Sequence, residues 1–505
     1  MRPASFPAIF LAALLAGCAA SPPVPDTGTV APADLACARL IEALDASVAA
    51  AGTGDGGYAR VDGFRALRVD RLLASYGNAP MDAARFGAWI AAMRALDRDA
   101  RGVELANLPA GERARLDAAI GALPRDAVQG ADTAARVDAC AERVLARDLT
   151  APHARVWLIQ SAQVPDDYRD SWRALGLYPL TGFGLAAGVA KYERDAIASF
   201  AERAPARGTL AAYRPAATAP ATPEAIRRTV AALIAAEPLP PLPRADPAAL
   251  DALFAAYAPD YAIDTLTVDD RPGRPYRRAD GVPDVDATAP VVYTRLAWTR
   301  FDGALLPQLV YTIWFAQRPP SSAVDGLSGR LDGLVWRVTL DRDGAPLAFD
   351  TIHPCGCYHQ FVPTARLALR PAERTVEEGA LVVQALPELA AGTRVRLDLA
   401  PGTHYLRGVT PIASSEPPRE GAVAYAFVPD ATLRTLPAPG GGTASLFGPD
   451  GIVAGTERSE RYTLWISGIA SPGAMRQWGR HATAFVGRRH FDEAFLIERY
   501  FARAR

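Results

Sequence analysis

Residues 353–359 concentrate more of the chain's potential metal and redox chemistry than any other segment. His353, Cys355, Cys357 and His359 alternate within it, so two of the six histidines and two of the five cysteines lie within seven positions. Thiolate and imidazole groups together suit zinc or copper. The spacing H-x-C-x-C-x-H differs from the paired C-x-x-C of structural zinc modules and from the C-x-x-C-H of haem attachment. We call residues 353–359 the His-Cys segment.

A metal site on these four residues requires the backbone to bend. In an extended strand all four side chains would point to one side of the strand. At about 3.3 Å per residue, however, the outer two would lie about 20 Å apart and could not share an ion. Pro354 and Gly356 are residue types that favour a turn. The sequence therefore predicts a metal site only if the segment curls.

Two other interpretations of the His-Cys segment stay open. In the first, Cys355 or Cys357 is nucleophilic, or the two form a tight disulfide, because a neighbouring imidazole can lower the pKa of a thiol. In the second, the cysteines pack as small apolar side chains and the histidines hydrogen-bond the backbone. His404 follows a predicted strand and is either an additional ligand or base, or a solvated loop side chain.

The common catalytic signatures are missing from the sequence. It contains no G-x-S-x-G nucleophile elbow, no H-E-x-x-H and no phosphate-binding G-x-x-x-x-G-K. Four aspartates crowd the region before the His-Cys segment, and we interpret most of them as turn residues: Asp332, Asp341, Asp343 and Asp350. The sequence therefore does not decide whether the protein is an enzyme.

Length and charge limit the class of protein. The chain has 505 residues, of which 50% are hydrophobic and 22% are charged, as expected for a globular protein of two to four domains. Its formal net charge is −1, so no strong field attracts nucleic acid, and we exclude a nucleic-acid partner.

The N-terminus carries the order of elements found in a secretory signal. Arg2 precedes the apolar run 6–15, which is too short to span a bilayer and reads as a signal peptide over 1–17. Leu15-Ala16-Gly17-Cys18 then resembles the lipobox of bacterial lipoproteins. The resemblance implies cleavage before Cys18 and acylation of that residue, and multiple acyl chains anchor a protein stably. Because Ala19 follows instead of aspartate, the outer membrane is favoured. The resemblance covers about the first twenty residues, and the mature sequence carries no comparable one.

Residues 18–32 read as a flexible tether, and residues 33–203 as a mainly helical domain. Apolar residues recur at helical spacing around Cys37 and again around Cys140. Each cysteine thus lies on the buried face of its own helix, and the sequence predicts a Cys37–Cys140 disulfide in an oxidising compartment. The alternative is two separate buried thiols. Further helices are expected over 86–96 and 113–123, and a short strand over 156–159.

Residues 175–190 contain no charged side chain and four glycines. We interpret them either as a glycine-rich connection into a buried helix or as an apolar patch that rests on the membrane or on a partner. Residues 204–245 are rich in alanine and proline and predict a connector that holds one helix over 222–235.

Residues 246–505 predict a mainly β domain, because the apolar period changes to two. The predicted strands are 291–300, 309–315, 334–340, 347–352, 395–399, 423–428 and 462–466. Asp343-Gly344 is a strong hairpin signal. A final amphipathic helix is expected to start at Asp492 as its N-cap. The fold class is therefore α+β, with a helical N-terminal region and a mostly antiparallel, sandwich- or barrel-like C-terminal domain.

The expected function is that of a lipoprotein on the periplasmic face of the outer membrane, anchored through Cys18. It would be a binding or scaffold module of the cell envelope with a small metal or thiol centre, and its partner an envelope protein or a small molecule. The alternative is a periplasmic metal-dependent hydrolase that uses His353, Cys355, Cys357 and His359. A catalytic site would leave a coordination position open, whereas a structural site would close it.

Overall fold

The computed structural model describes residues 31–77, 79–124, 130–202, 205–216, 221–234, 246–371, 377–413 and 419–505. The predicted signal peptide, the predicted lipidation site Cys18 and most of the predicted tether lie outside these ranges.

The helices lie mostly in the first half of the chain. They are α1 (Pro32–Ala51), α2 (Arg71–Ala74), α3 (Ala83–Asn107), α4 (Ala110–Gly121), α5 (Thr133–Asp148), α6 (Ala154–Ser161), α7 (Asp170–Leu175), α8 (Tyr178–Glu202), α9 (Pro223–Ile234), α10 (Pro247–Tyr257), α11 (Arg461–Leu464) and α12 (Leu496–Tyr500). Short 3-10 turns occur at Val268–Asp270, Asp430–Arg434 and Trp465–Ser467.

The strands lie mostly in the second half. They are β1 (Ala59–Val61), β2 (Phe64–Val69), β3 (Thr209–Pro215), β4 (Asp260–Thr265), β5 (Arg274–Arg277), β6 (Pro283–Asp286), β7 (Val291–Phe301), β8 (Ala304–Arg318), β9 (Gly329–Leu340), β10 (Pro346–Ile352), β11 (Gln360–Pro363), β12 (Leu367–Leu369), β13 (Val395–Leu399), β14 (Leu406–Pro411), β15 (Val423–Pro429), β16 (Leu436–Pro437), β17 (Thr443–Ala444) and β18 (Phe501–Arg503).

A disulfide joins the first helical layer. Cys37 on α1 and Cys140 on α5 form the predicted disulfide, with their Cα atoms 4.8 Å apart. Both cysteines are fully buried in one apolar core, together with Leu40, Leu44 and Val144. The spacing of these residues on each helix places them on the face that meets the other helix, which is why the sequence pattern found the pair.

A ten-stranded sheet organises the second half of the protein. Its strand order is β11-β10-β9-β8-β7-β15-β3-β4-β13-β14. The pairs β7/β15, β15/β3 and β4/β13 are parallel and the others antiparallel. The sheet is thus mixed but mostly antiparallel and curves into a half-barrel, and the predicted α+β class is confirmed. Helices α9 and α10 pack on its apolar face.

Six of the predicted strands correspond to β7, β8, β9, β10, β13 and β15. The hairpin between β9 and β10 turns at Asp343-Gly344, where Gly344 has φ +81°. The predicted connector over 204–245 includes β3, which pairs with β4 and β15, so this segment contributes an interior strand to the large sheet.

Three local predictions were wrong. Residues 156–159 lie in helix α6 instead of a strand. A run of four apolar residues is too short for its periodicity to distinguish a helix from a strand. Residues 462–466 form α11 and a 3-10 turn, although their aromatic and β-branched composition favoured a strand. Asp492 does not cap the last helix, which begins at Leu496 without a side-chain cap. The carboxylate of Asp492 instead lies 3.0 Å from Arg71 Nη1.

Candidate functional site

Asp332 is the centre of a buried polar network at one end of the large sheet. It lies on β9 and is fully buried. His353 Nδ1 lies 3.0 Å from Asp332 Oδ1, and His404 Nδ1 lies 2.8 Å from Asp332 Oδ2. Arg458 Nη2 lies 3.5 Å from the first of these oxygens. Burial opposes ionisation, but His353, Arg458 and the two hydrogen bonds outweigh it and hold the pKa of Asp332 well below its ordinary value.

His404 connects this network to a second carboxylate. It follows β13, and its Nε2 lies 3.4 Å from Oδ1 of Asp270 in the 3-10 turn after β4. Its ring stacks on Phe315, with the centroids 3.8 Å apart. Phe315 and Asp332 are direct cross-strand neighbours in β8 and β9. Burial disfavours the imidazolium, yet the two carboxylates outweigh burial and raise the pKa of His404. We call Asp332, His353, His404, Asp270 and Arg458 the Asp332 network.

A separate ion pair holds the other end of the His-Cys segment. Arg337 on β9 faces Asp350 on β10, with Nε 2.8 Å from Oδ1, because the two residues are paired across the hairpin. His359 Nε2 lies 3.0 Å from Asp350 Oδ2. Burial lowers the pKa of His359 to about 4, against the hydrogen bond to Asp350. His359 is thus neutral near pH 7, and its Nε2 carries the proton, since an ionised carboxylate only accepts.

The backbone around the Asp332 network is strained. Leu331, Tyr358 and His404 have φ values of +52°, +64° and +53°, in the left-handed region that non-glycine residues rarely adopt. Each such residue costs about 1–3 kcal/mol, and such residues cluster at binding and catalytic sites. The surrounding contacts therefore impose the positions of these residues.

The two cysteines of the His-Cys segment lie together in the core, both buried and unbridged. The segment does curl: His353 N donates to Cys357 O at 3.0 Å, and Cys357 N donates to Cys355 Sγ at 3.3 Å. The hydrogen bond to Cys355 and burial raise the pKa of the Cys357 thiol well above its ordinary value. Gly356 completes the turn at φ +89°, where a Cβ would lie 2.4 Å from Ala482 O.

The curl does not bring the four predicted metal ligands to one point. His353 faces Asp332 and His359 faces Asp350, on opposite sides of the two cysteines in the chain. In the ranges that the structure describes, no three His, Cys, Asp or Glu side chains are placed to hold a metal ion. The zinc or copper site therefore stays a prediction of the sequence, without support from this geometry.

Two tyrosines form the layer above the Asp332 network. Tyr358 and Tyr405 have ring centroids 4.6 Å apart, and the His353 ring packs edge-on against both, at 5.0 and 5.6 Å. Arg318 at the end of β8 donates to the Tyr405 hydroxyl at 3.2 Å and lies 3.4 Å from that of Tyr358. Burial raises the pKa of both tyrosines, so both are neutral at physiological pH.

A cavity of about 340 Å³ opens on these two tyrosines, and we call it the tyrosine pocket. Its third tyrosine, Tyr192 from α8, packs 5.2 Å from Tyr358 and accepts a hydrogen bond of 2.9 Å from Gln360. The other polar residues in its wall are His359, Glu193, Glu378, Glu460, Thr483 and Arg489. Its apolar wall consists of Leu185, Val189, Leu327, Leu381, Leu464 and Phe485. This volume and mixed lining are typical of a site for a small molecule.

Helix α8 is the outer wall of the tyrosine pocket, and two glycines one turn apart keep the mouth wide. A Cβ added to Gly184 or Gly188 would meet no atom within 4 Å. Leu185, Val189 and Tyr192 follow at helical spacing on the same wall. The glycine-rich stretch is therefore helical, and its small residues border the cavity.

The segment from the end of α7 into the first turns of α8 is apolar and exposed. Leu175, Leu177, Leu180 and Phe183 are 76%, 62%, 71% and 65% exposed. Of our two interpretations of 175–190, the structure thus agrees with the exposed apolar patch and contradicts the buried helix. The helix is not buried because only scattered residues such as Leu185 and Phe200 meet the core.

Sequence reasoning missed Asp332, Asp350 and the tyrosines. The aspartates were interpreted as turn residues, yet both are buried partners of histidines. One signal was available: pairing extended outward from a hairpin at Asp343-Gly344 places Arg337 near Asp350, and a register shift near Pro346 sets them directly opposite in the structure. No comparable local signal links Asp332 to His404, because they are 72 residues apart.

Comparison with known proteins gives no family for the chain. No protein-family model, no curated protein and no solved structure matches it. Among the helices that the structure describes, none has the length and apolarity needed to cross a bilayer. Its function must therefore be argued from the pocket and the network.

Proposed function

We propose that the protein is a cell-envelope lipoprotein that binds a small amphipathic molecule in the tyrosine pocket. The observation that carries this proposal is a cavity of about 340 Å³ whose floor is held by a strained, buried network. This is roughly the volume of eleven water molecules. A ligand with a short apolar chain and one polar end fits the apolar side chains on one part of the wall and the polar ones on the other.

The Asp332 network serves binding as a support for the pocket floor. Asp332, His353 and His404 are buried and do not line the cavity. His353 contacts the rings of Tyr358 and Tyr405 instead, and His404 directly precedes Tyr405. Buried charged groups that hydrogen-bond one another hold neighbouring groups in one arrangement. A rigid floor lowers the entropy cost of ligand binding.

The sequence supports a position at the outer membrane, facing the periplasm. Leu15-Ala16-Gly17-Cys18 resembles a lipobox, and the Cys37–Cys140 disulfide suits an oxidising compartment. We expect Cys18→Ser to move the protein from the membrane fraction to the soluble fraction. Cys355→Ser, which changes a buried thiol of the mature body, is the control and should stay with the membrane.

The exposed apolar start of α8 gives the anchored protein a second contact with the bilayer. Ala31 lies thirteen residues after Cys18, and a chain of this length reaches about 45 Å at most, so the lipid anchor keeps the body close to the surface. Leu180 and Phe183 are exposed apolar side chains, and their burial at the boundary between headgroups and acyl chains would favour membrane binding. Because α8 also borders the pocket mouth, this orientation would place the mouth near the membrane. Non-acylated protein should float with lipid vesicles, and Leu180→Gln/Phe183→Gln should reduce this flotation.

Binding is tested with N-phenyl-1-naphthylamine, a neutral fluorescent probe, on the mature chain. Gly188→Leu projects a side chain into open space at the pocket mouth, so it should block the probe without disturbing the fold. Leucine is also a better helix former than glycine by nearly 1 kcal/mol. We expect saturable binding to the wild type and a loss of at least about tenfold in affinity in the variant, equivalent to about 1.4 kcal/mol.

Gly102→Leu is the matched control. Gly102 is an exposed glycine inside helix α3, and a Cβ there also meets no atom within 4 Å. This variant should bind the probe as the wild type does. Absence of saturable binding, or equal binding by the Gly188→Leu variant, would refute the proposal that this pocket takes a ligand.

A further inference from the structure

Two carboxylates at the tyrosine pocket lack a hydrogen-bond donor within the residues that the structure describes. In the described part of the chain, no hydrogen bond reaches the carboxylate of Glu193 or of Glu460. Burial raises the pKa of both; Arg489 acts against this at Glu193, and Arg458 and Arg318 act against it at Glu460. Both side chains are partly exposed, so water solvates their carboxylates, and a ligand that donates hydrogen bonds replaces that water with direct partners.

His359 adds a further acceptor. It is 4% exposed and lines the pocket, and its Nδ1 has no hydrogen-bond partner among the described residues. Because Nε2 donates to Asp350, the free Nδ1 of the neutral ring carries a lone pair and no proton. A buried lone pair aimed at no donor is rare in folded proteins and indicates a missing donor.

The one arginine of the pocket wall is already satisfied. Arg489 Nε donates to Thr483 Oγ1 at 2.9 Å, Nη1 to Gly379 O at 2.7 Å and Nη2 to Thr483 O at 3.0 Å. Its Nη2 also lies 3.4 Å from Glu378, whose carboxylate accepts from the backbone N–H of Phe485. The wall thus offers no free cation to an anionic ligand.

We propose that the tyrosine pocket selects a primary ammonium or guanidinium group carried on a short apolar chain. Glu193, Glu460 and His359 Nδ1 take the N–H donors, and the tyrosine rings offer π faces that attract a cation. The apolar side chains of the wall hold the chain of the ligand. This inference rests on the proposed function and names the ligand class.

The test is displacement of bound N-phenyl-1-naphthylamine by compounds with one common octyl chain. Octylamine and octylguanidine should displace the probe at concentrations at least about tenfold lower than octanol, since hydrogen bonds to charged groups exceed neutral ones by about this factor. Octanoate should be the weakest competitor of the probe. Octyltrimethylammonium, which has charge but no N–H, should be about tenfold weaker than octylamine.

The variant Glu460→Gln locates the selectivity. It removes the charge of the pocket carboxylate. The affinity for octylamine should fall about tenfold, and the affinity for octanol should not change. Glu457→Gln, three residues earlier and exposed, is the matched control and should leave both unchanged. If the Glu460 variant binds neither octylamine nor octanol, the variant is misfolded, and circular dichroism detects this. Glu193→Gln then provides the same test.

The outcomes separate the two proposals. If octanol, octanoate and octylamine displace the probe equally and Gly188→Leu abolishes all binding, the pocket binds ligands but the ammonium inference is refuted. If nothing binds, both proposals fail. Competition by lysophosphatidylethanolamine but not lysophosphatidylcholine would assign the ammonium to a lipid headgroup; octylamine binding without such competition would assign it to a free amine.

Discussion

Replacing Asp332 with asparagine should cost more stability than any other single change at this site. The substitution keeps the shape of the side chain but removes its charge. It leaves the buried Arg458 guanidinium without the carboxylate it faces and leaves the buried His404 imidazole with Asp270 alone. Removing one partner from a buried ion pair typically costs about 3–5 kcal/mol. We expect a loss in the free energy of unfolding within this range.

Urea denaturation of the mature chain, followed by circular dichroism at pH 7, measures the effect. The matched control is Asp251→Asn, which changes an exposed aspartate on α10 and should shift the free energy of unfolding by less than about 0.5 kcal/mol. The stabilisation by Asp332 should be present above the ordinary aspartate pKa and disappear as the pH falls below it, because the folded pKa is depressed.

Loss of the Asp332 charge should also affect the pocket. Without the Asp332 charge, His353 and His404 lose the partner that fixes them beneath Tyr358 and Tyr405, so probe affinity should fall even in buffer where the variant is folded. A variant that loses less than about 1 kcal/mol, comparable with the control, would refute the claim that the network carries this part of the fold.

Further predictions concern the disulfide, one histidine and one glycine. Replacing Cys37 and Cys140 by serine opens a loop whose ends are 103 residues apart and should cost roughly 2–5 kcal/mol in urea denaturation; an unchanged midpoint would contradict a stabilising role. His481 is buried, and burial lowers its pKa to about 4. Its contribution to stability is therefore complete above about pH 6.5 and is lost as the pH falls toward 4, so His481→Gln should flatten this part of the stability–pH profile by up to about 1.4 kcal/mol per pH unit. An unaltered slope would show that His481 takes no part. Gly356→Ala sets a Cβ 2.4 Å from a backbone carbonyl oxygen at φ +89° and should cost about 1–3 kcal/mol, whereas Gly440→Ala, in open space, should be nearly neutral by thermal denaturation.

Part of the fold could be predicted because its pattern is local. The strand at 395–399 alternates apolar and polar side chains strictly and the strand at 334–340 does so in most positions, and the hairpin at Asp343-Gly344 has the turn chemistry that it requires. Runs of four or five residues were less informative. At 156–159 and 462–466 composition favoured strands, but the structure provides neither with a strand to pair with, and both became helical.

The candidate site was harder to predict because its partners are distant in sequence. The His-Cys segment was found by composition, and its curl was expected from Pro354 and Gly356. Which group each histidine meets depends on strands from other parts of the chain. His353 hydrogen-bonds Asp332 on β9, and His359 hydrogen-bonds Asp350, which also pairs with Arg337. The histidines that suggested a metal site are therefore engaged in hydrogen bonds to carboxylates.

The amino-acid sequence alone determined the local features: the lipobox-like start, the helical faces that carry Cys37 and Cys140, most of the strands and the tight turn between β9 and β10. These follow from side-chain period and backbone preference, which act over a few residues. Only the tertiary structure decided that α8 forms a wall beside Tyr358 and Tyr405 and leaves a cavity there. The cavity depends on packing between segments more than 150 residues apart, and no local pattern records which surfaces meet.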